Sequence, residues 1–558
     1  MSGKHSSVKH SGGRHRKRRR GDKGSLPGLA SRALGWSFIS NLTARLGTLP
    51  VGIVLARILG PHAFGTYAVA LVALVVLLSF NDLSVSLAIV RWEDDPAEIA
   101  PTVATLSLMT SLLVYGGCYL SAPAFSWAMG APAATAVIRV LALNVIVDGL
   151  TATPAALMQR QFRQDRKMIA DQVNNWLGAA VSITTALLGF GAMSLALGRI
   201  AGGAASVVLF FIFSPVRVRY GFDRTKAKAL LKFGLPLAGA SIVVFALSNA
   251  DQLIVERVLG PTALGFYALA LNLATWPVTM FSLPTRSVAP AAFSRLQHDP
   301  PAMRNSFMST ARLLGAAAMP TCLLISGAAV PLVDLVYGAR WVPAAAAVVG
   351  LGVLSALRVG FELIYDFFVV LAKSRVVLII QVVWLMSLVP CLIVGTIADG
   401  IAGAAMAEAA VAAFVVLPCY LISLTRVGIG TVDLAKRLWL PIVVAVAVAA
   451  VAAVTARVIQ TDLAALAIAG IAALAELRLN LLASRMATPA AVTPAAPISQ
   501  LVRVQAESAG RLRRTTRASQ PTLPGEAPAQ PPRALATASS AVSSGVGSPS
   551  PPPSASPG

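Results

Sequence analysis

Arg358, Glu362 and Asp366 follow one another at four-residue spacing inside the apolar run 343–371, so a helix carries all three on one stripe. Arg358 and Glu362 are spaced to close an ion pair, and two carboxylates in series are the groups a proton or cation relay uses. Arg45 stands midway along the run 33–56, with Asn41 four residues before it on the same face. Arg286 and Arg312 fall near the ends of the runs 264–290 and 306–331, and Asn249 and Asp251 near the end of 231–255, where Asp251 has Arg257 as a candidate partner. A charge held mid-membrane costs roughly 2.5–3.5 kcal/mol on an insertion scale, so such residues are functional candidates by default. Their chemistry is the holding of a charged or polar group and the relay of a proton or cation. Metal ligation has weaker support: His5, His10 and His15 are evenly spaced but stand without further ligands, and Cys118, Cys322, Cys391 and Cys419 show no CxxC spacing.

The elements that must position these residues are membrane helices. The 558 residues are 56% hydrophobic and 12% charged, with a mean hydropathy of +0.73; a soluble chain carries roughly a quarter charged residues. Fourteen apolar runs near spanning length are expected at about 33–56, 63–90, 98–120, 132–150, 170–190, 192–213, 231–255, 264–290, 306–331, 343–371, 374–395, 401–424, 437–459 and 461–484. The fold class is therefore an all-α polytopic membrane protein of about fourteen transmembrane helices. Cations gather in alternate loops, as in Arg160, Arg163, Arg166 and Lys167, or Arg217, Arg219, Arg224, Lys226 and Lys228, while the intervening loops carry one each: Arg57, Arg257, Arg340 and Arg457. By the positive-inside rule the cation-rich loops and both termini face the cytoplasm of a cell membrane.

The net charge of +23 is a topology signal more than a nucleic-acid footprint, since much of it lies in two tails. Residues 1–32 hold ten Lys and Arg against Asp22 alone and read as a basic, disordered cytoplasmic tail suited to anionic membrane lipids. Residues 487–558, rich in Pro, Ser and Ala, read as a second disordered tail. No nucleotide motif of the form GxxxxGK[ST] occurs, and no cofactor is implied.

The chain writes one passage twice. "ARILGPHAFGTYAVAL" at 56 and "ERVLGPTALGFYALAL" at 256 match at Arg57/Arg257, Gly60/Gly260, Pro61/Pro261, Gly65/Gly265 and Tyr67/Tyr267. Each copy reads as a helix end, a tight Gly-Pro turn and the next helix start, with its Tyr at headgroup depth. Six expected crossings separate the copies, an even number, so both face the same way. This predicts a parallel pseudo-two-fold repeat of two six-helix bundles, 33–213 and 231–424, followed by two further helices at 437–484. Asp95-Pro96 with Glu98, and Asp299-Pro300, read as helix caps after equivalent helices.

"ADQLIVERVLGPTALGFYALA", "PAAFSRLQHD", "LVYGARWVPAA", "LARILGPHAFGTYAVA" and "GFGAMSLALGRIAG" together resemble the bacterial polysaccharide flippases of the multidrug/oligosaccharidyl-lipid/polysaccharide exporter superfamily, over roughly residues 30–430. The resemblance implies a transporter, not an enzyme: a flippase moving a lipid-linked oligosaccharide, of the polyprenyl-diphosphate type, to the outer leaflet by alternating access. Glycosyltransferases or a polysaccharide polymerase would be its partners. Under it, Arg45, Asn41, Arg286, Arg312 and Arg358 become substrate-binding candidates, and Glu362, Asp366, Asp251 and Arg257 coupling or gating candidates. A drug/cation antiporter of the same superfamily is the alternative. A membrane polymerase would want a catalytic outer loop, and "SAPAFSWAMGAP" holds neither charge nor His.

Overall fold

A computed structural model describes residues 26–81, 96–161, 163–215, 219–228, 230, 249–296 and 299–458. The side chains of Asn41 and Arg45, the acidic loop Glu93–Asp95, most of the expected tails and the expected span 461–484 lie outside the described residues. The described elements are all helical: α1 (Leu26–Asn81), α2 (Pro96–Ala128), α3 (Ala134–Arg160), α4 (Gln164–Leu187), α5 (Ala192–Phe213), α6 (249–259), α7 (Pro261–Arg295), α8 (Pro300–Gly327), α9 (Ala329–Tyr337), α10 (Ala345–Val370), α11 (Ser374–Val411), α12 (Leu417–Thr425) and α13 (Thr431–Val458). A 3-10 turn, Ala339–Ala344, precedes α10, and a π turn, Ala412–Val416, joins α11 to α12. Nine spans among the described residues are long and apolar enough to cross a membrane, so this is a multi-pass helical membrane protein. Leu113, Leu120, Trp127 and Phe414 stand more than three-quarters exposed on the outside of these helices, an apolar surface suited to lipid.

Breaks fall where the backbone conformation demands glycine. Gly60 (φ 75°, ψ 173°) interrupts α1, and Gly260 (φ 83°, ψ 179°) separates α6 from α7 in nearly the same conformation. Proline follows each, in the first helical turn, where its missing N–H leaves no bond unmade. Asp299 caps α8 as its spacing predicts, accepting a hydrogen bond from the Ala302 amide at 3.0 Å. The expected runs 374–395 and 401–424 meet within α11 at a non-helical break, Asp399 and Gly400, and the second run continues through the π turn into α12. The short α9 goes unpredicted because most of it falls in the loop expected between the runs 306–331 and 343–371.

Among the described helices, α4 packs with α5, α2 with α3, α1 with α4 and α3 with α5; α7, α8 and α11 gather around α10, and α13 packs on α8. The main link between these sets is α1 against α7, and it joins the two copies of the repeated passage. A Cβ on Gly65 would strike the Pro261 carbonyl and stand 3.0 Å from the Gly265 amide nitrogen. A Cβ on Gly265 would strike the Pro61 carbonyl and stand 3.0 Å from the Gly65 nitrogen. The contact is reciprocal, the form a local two-fold produces.

One residue closes this seam. Trp341 is 1% exposed; its indole N–H donates to the Ala56 carbonyl at 3.0 Å, and its ring meets Phe64 and Phe266 edge to face at 5.6 and 5.9 Å. Arg57 donates to the carbonyls of Leu335 (2.6 Å) and Val336 (2.9 Å), placing a cation at the C-terminal end of α9. The Arg of the first copy is thus a strut.

Candidate functional site

Helix α4 is the anomaly among these elements. The run 170–190 is expected to be an apolar span, but the helix begins at Gln164 and is not among the segments apolar enough to cross. Its polar residues explain this. Lys167, Asp171, Asn174, Gly178 and Ser182 fall three or four residues apart on one stripe, with Asn175 and Trp176 beside it. A polar stripe inside a bundle of apolar helices must face water or a ligand.

It does: α1, α3, α4 and α5 line a half-open cavity of about 680 Å³. Its lining runs from Lys167 to Ser182 on α4 and from Leu195 to Phe210 on α5, about 22 Å along each axis at 1.5 Å per residue. That is most of the roughly 30 Å hydrocarbon thickness. The α3 wall supplies Asn144, Asp148 and Thr151, and α5 supplies Arg199 and Ser206. Two acids, Asp148 and Asp171, stand against two bases, Lys167 and Arg199, and Lys167 is bonded to Asp171 at 3.2 Å. Backbones meet closely behind the wall: a Cβ on Gly202 of α5 would strike the Asn174 carbonyl. On the opposite side the Trp176 ring lies against Gly47 of α1, where a Cβ would stand 2.9 Å from Cζ2.

The second polar centre lies among α6, α7, α10 and α11, and each gives one residue. Asp251, Tyr267 and Glu408 are buried together, and Arg358 is close enough to act on both carboxylates. With Glu256 and Asp366 there are four buried carboxylates among the described residues, and no buried Lys or Arg. Burying a charge this way is costly unless it is neutralised or paired, so an acid-rich interior marks a place that handles protons or cations.

Several expected partnerships are redrawn. Asp251 does not pair with Arg257: it is 5% exposed while Arg257 is exposed, because six residues turn a helix through about 600° and put the two on different faces. Arg358 and Glu362 form no ion pair among the described residues. Arg358 turns to Asp251 and Glu408, Glu362 stands by Asp366, and Asp366 reaches across to Arg286 on α7 at 3.4 Å. Arg286 is therefore held by a carboxylate, while Arg312 makes no ion pair among the described residues and is half-buried. The repeat's tyrosines both face the protein interior: Tyr67 lines the α1–α5 cavity and Tyr267 is fully buried beside Asp251. Asn144, Asn174, Asn175 and Trp176 enter no expectation, although the α4 stripe is legible in the spacing once polar residues of every kind are counted.

A family model described as polysaccharide biosynthesis protein matches residues 54–346, just over half of the chain. The succinoglycan biosynthesis transport protein ExoT of Rhizobium meliloti (strain 1021) is 25% identical over 56% of this chain and 63% of its own length. The lipopolysaccharide biosynthesis protein WzxC of Escherichia coli (strain K12) is 26% identical over 55% of this chain and 63% of its own. The aligned part thus spans less than two thirds of either relative. Among solved structures, lipid II flippase MurJ in an inward closed conformation matches with a TM-score of 0.67 at 13% identity, over 80% of this chain and 98% of that one. An inward-facing multidrug resistance MATE family transporter of the MOP superfamily matches with a TM-score of 0.55 at 17% identity, over 70% and 96%. Likeness at these identities establishes a shared fold.

Proposed function

The chain belongs to the polysaccharide biosynthesis protein family, and from that premise we propose that it is a flippase carrying a lipid-linked oligosaccharide across the cytoplasmic membrane by alternating access. The observation that carries the reading is the half-open cavity, about 680 Å³, whose wall sets amide, hydroxyl and charged side chains among helices that are otherwise apolar. A sugar headgroup cannot cross hydrocarbon unaided, because each hydroxyl stripped of its hydrogen bonds costs roughly 4–8 kcal/mol. A polar wall that replaces those bonds removes most of the barrier while the lipid tail stays in the bilayer. The α1–α7 seam is the contact that two rocking halves would open and close.

In this reading Asp251 and Glu408, facing Tyr267 and Arg358, are the coupling centre: binding of a proton or cation there loosens their hold on Arg358. Arg312, with Arg45 and Asn41, remains a candidate for the phosphate of a polyprenyl-diphosphate carrier. Arg286 and Asp366 form a latch between α7 and α10. The basic residues of 1–32 would rest on anionic lipids, with glycosyltransferases or a polymerase as partners and both termini inside. The four buried carboxylates also favour a second reading, a cation-coupled drug exporter.

Deletion of the gene separates the two. The flippase reading expects loss of surface polysaccharide and accumulation of the lipid-linked precursor on the inner leaflet, with unchanged sensitivity to cationic drugs. Normal surface glycan together with increased drug sensitivity would select the exporter.

A further inference from the structure

The lining of the α1–α5 cavity has a composition that discriminates between ligands. A diphosphate brings at least two negative charges and needs cations that are not already spent. Here Lys167 is bonded to Asp171 at 3.2 Å, and Asp148 offsets Arg199 in the count. A drug cation needs an excess of acid, which the same balance denies, although Phe64, Tyr67, Trp176 and Phe210 do give the wall aromatic rings. What remains is a set of amides, Asn144, Gln172, Asn174 and Asn175, beside aromatic rings among which Trp176 presents the one indole. Amides both donate and accept hydrogen bonds, matching a hydroxyl, which does the same. An indole offers a flat apolar face, matching the C–H face of a pyranose ring. The volume falls within the range of about 300–1,000 Å³ of small-molecule sites.

We propose that this cavity is a carbohydrate subsite that takes the uncharged sugar units of the headgroup, with the phosphate-bearing end held elsewhere. Trp176 is the stacking platform, Asn174 and Asn175 bond ring hydroxyls, and Gly47 leaves the slot in which the indole is seated. The inference rests on the flippase reading for its substrate but not for its test.

That test uses the full chain in detergent with Cys391, the exposed cysteine, changed to Ala and Thr151→Cys as a reporter inside the cavity. The rate of reporter labelling by a small methanethiosulfonate is measured with cellobiose, sodium pyrophosphate or tetraphenylphosphonium present. Cellobiose should slow labelling at least threefold and the two ions should not. Trp176→Phe should keep the protection; Trp176→Ala and Asn175→Leu should abolish it, the latter being at an exposed position where folding is insensitive. Protection by either ion in place of cellobiose, protection by none, or protection indifferent to both Trp176→Ala and Asn175→Leu overturns the proposal. Absent protection alongside lost surface polysaccharide on gene deletion rejects the subsite and leaves the flippase; protection with normal polysaccharide does the reverse.

Discussion

The Arg286–Asp366 pair shows how one side chain's surroundings set its role. Asp366 is buried and Arg286 is about half exposed, so the pair is neither a screened surface bridge nor a fully desolvated one. Changing Arg286 to Gln strands a buried carboxylate and should cost about 1–2 kcal/mol, discounted for the solvent that reaches the guanidinium. Changing both to Arg286→Gln and Asp366→Asn should cost less than the first change alone. Thermal unfolding of the two variants in detergent measures this, and additive losses would mean the two side chains do not interact. Trp341 is the other residue with a defined prediction. Trp341→Phe keeps the edge-to-face rings but loses the bond to the Ala56 carbonyl, for about 1 kcal/mol, whereas Trp341→Ala should cost about 3–5 kcal/mol. Equal melting temperatures for the two variants would remove the hydrogen bond from the account.

Among the elements, the contact of α1 with α7 carries the most specific expectation. Gly65 and Gly265 each face the backbone of the opposite copy, which unlike a side chain has no rotamer to escape into. Gly65→Ala and Gly265→Ala should therefore both force the helices apart and lower the melting temperature by similar amounts. Unequal losses, or a neutral Gly65→Ala, would show that the two copies do not meet reciprocally. Helix α4 makes the complementary point. Its polar stripe is unaffordable in lipid and is tolerated only because α1, α3 and α5 wall off the space it faces. The stripe was visible in the spacing of Lys167, Asp171, Asn174 and Ser182, but a search confined to charges in apolar runs passes over it.

At the scale of the whole molecule, the proposed flippase reading needs a driving force, and membrane potential is the one its substrate's charge would use. Moving two negative charges outward down an inside-negative potential of about 100 mV releases about 4.6 kcal/mol. For a diphosphate-linked substrate, flipping in vesicles should accelerate when valinomycin and a potassium gradient set the interior negative, and an indifferent rate would leave ion exchange at Asp251 and Glu408 as the driving step. Arg358→Ala would then reduce transport by uncoupling that centre, measured as precursor delivery at an unchanged level of folded protein.

Helical, membrane-spanning character followed from composition and run length, because lipid admits few other structures and each apolar run declares itself locally. The Gly-Pro turns and the Asp299 cap were equally local, set by φ preference and a three-residue hydrogen bond. Partnership was not. Whether Arg358 answers Glu362 one turn away or Asp251 and Glu408 on other helices, and whether Tyr267 faces headgroups or a buried acid, depends on which helices touch. Those contacts are set by shape, glycine against backbone and indole against glycine, across separations of more than a hundred residues, and periodicity along one helix holds no record of them.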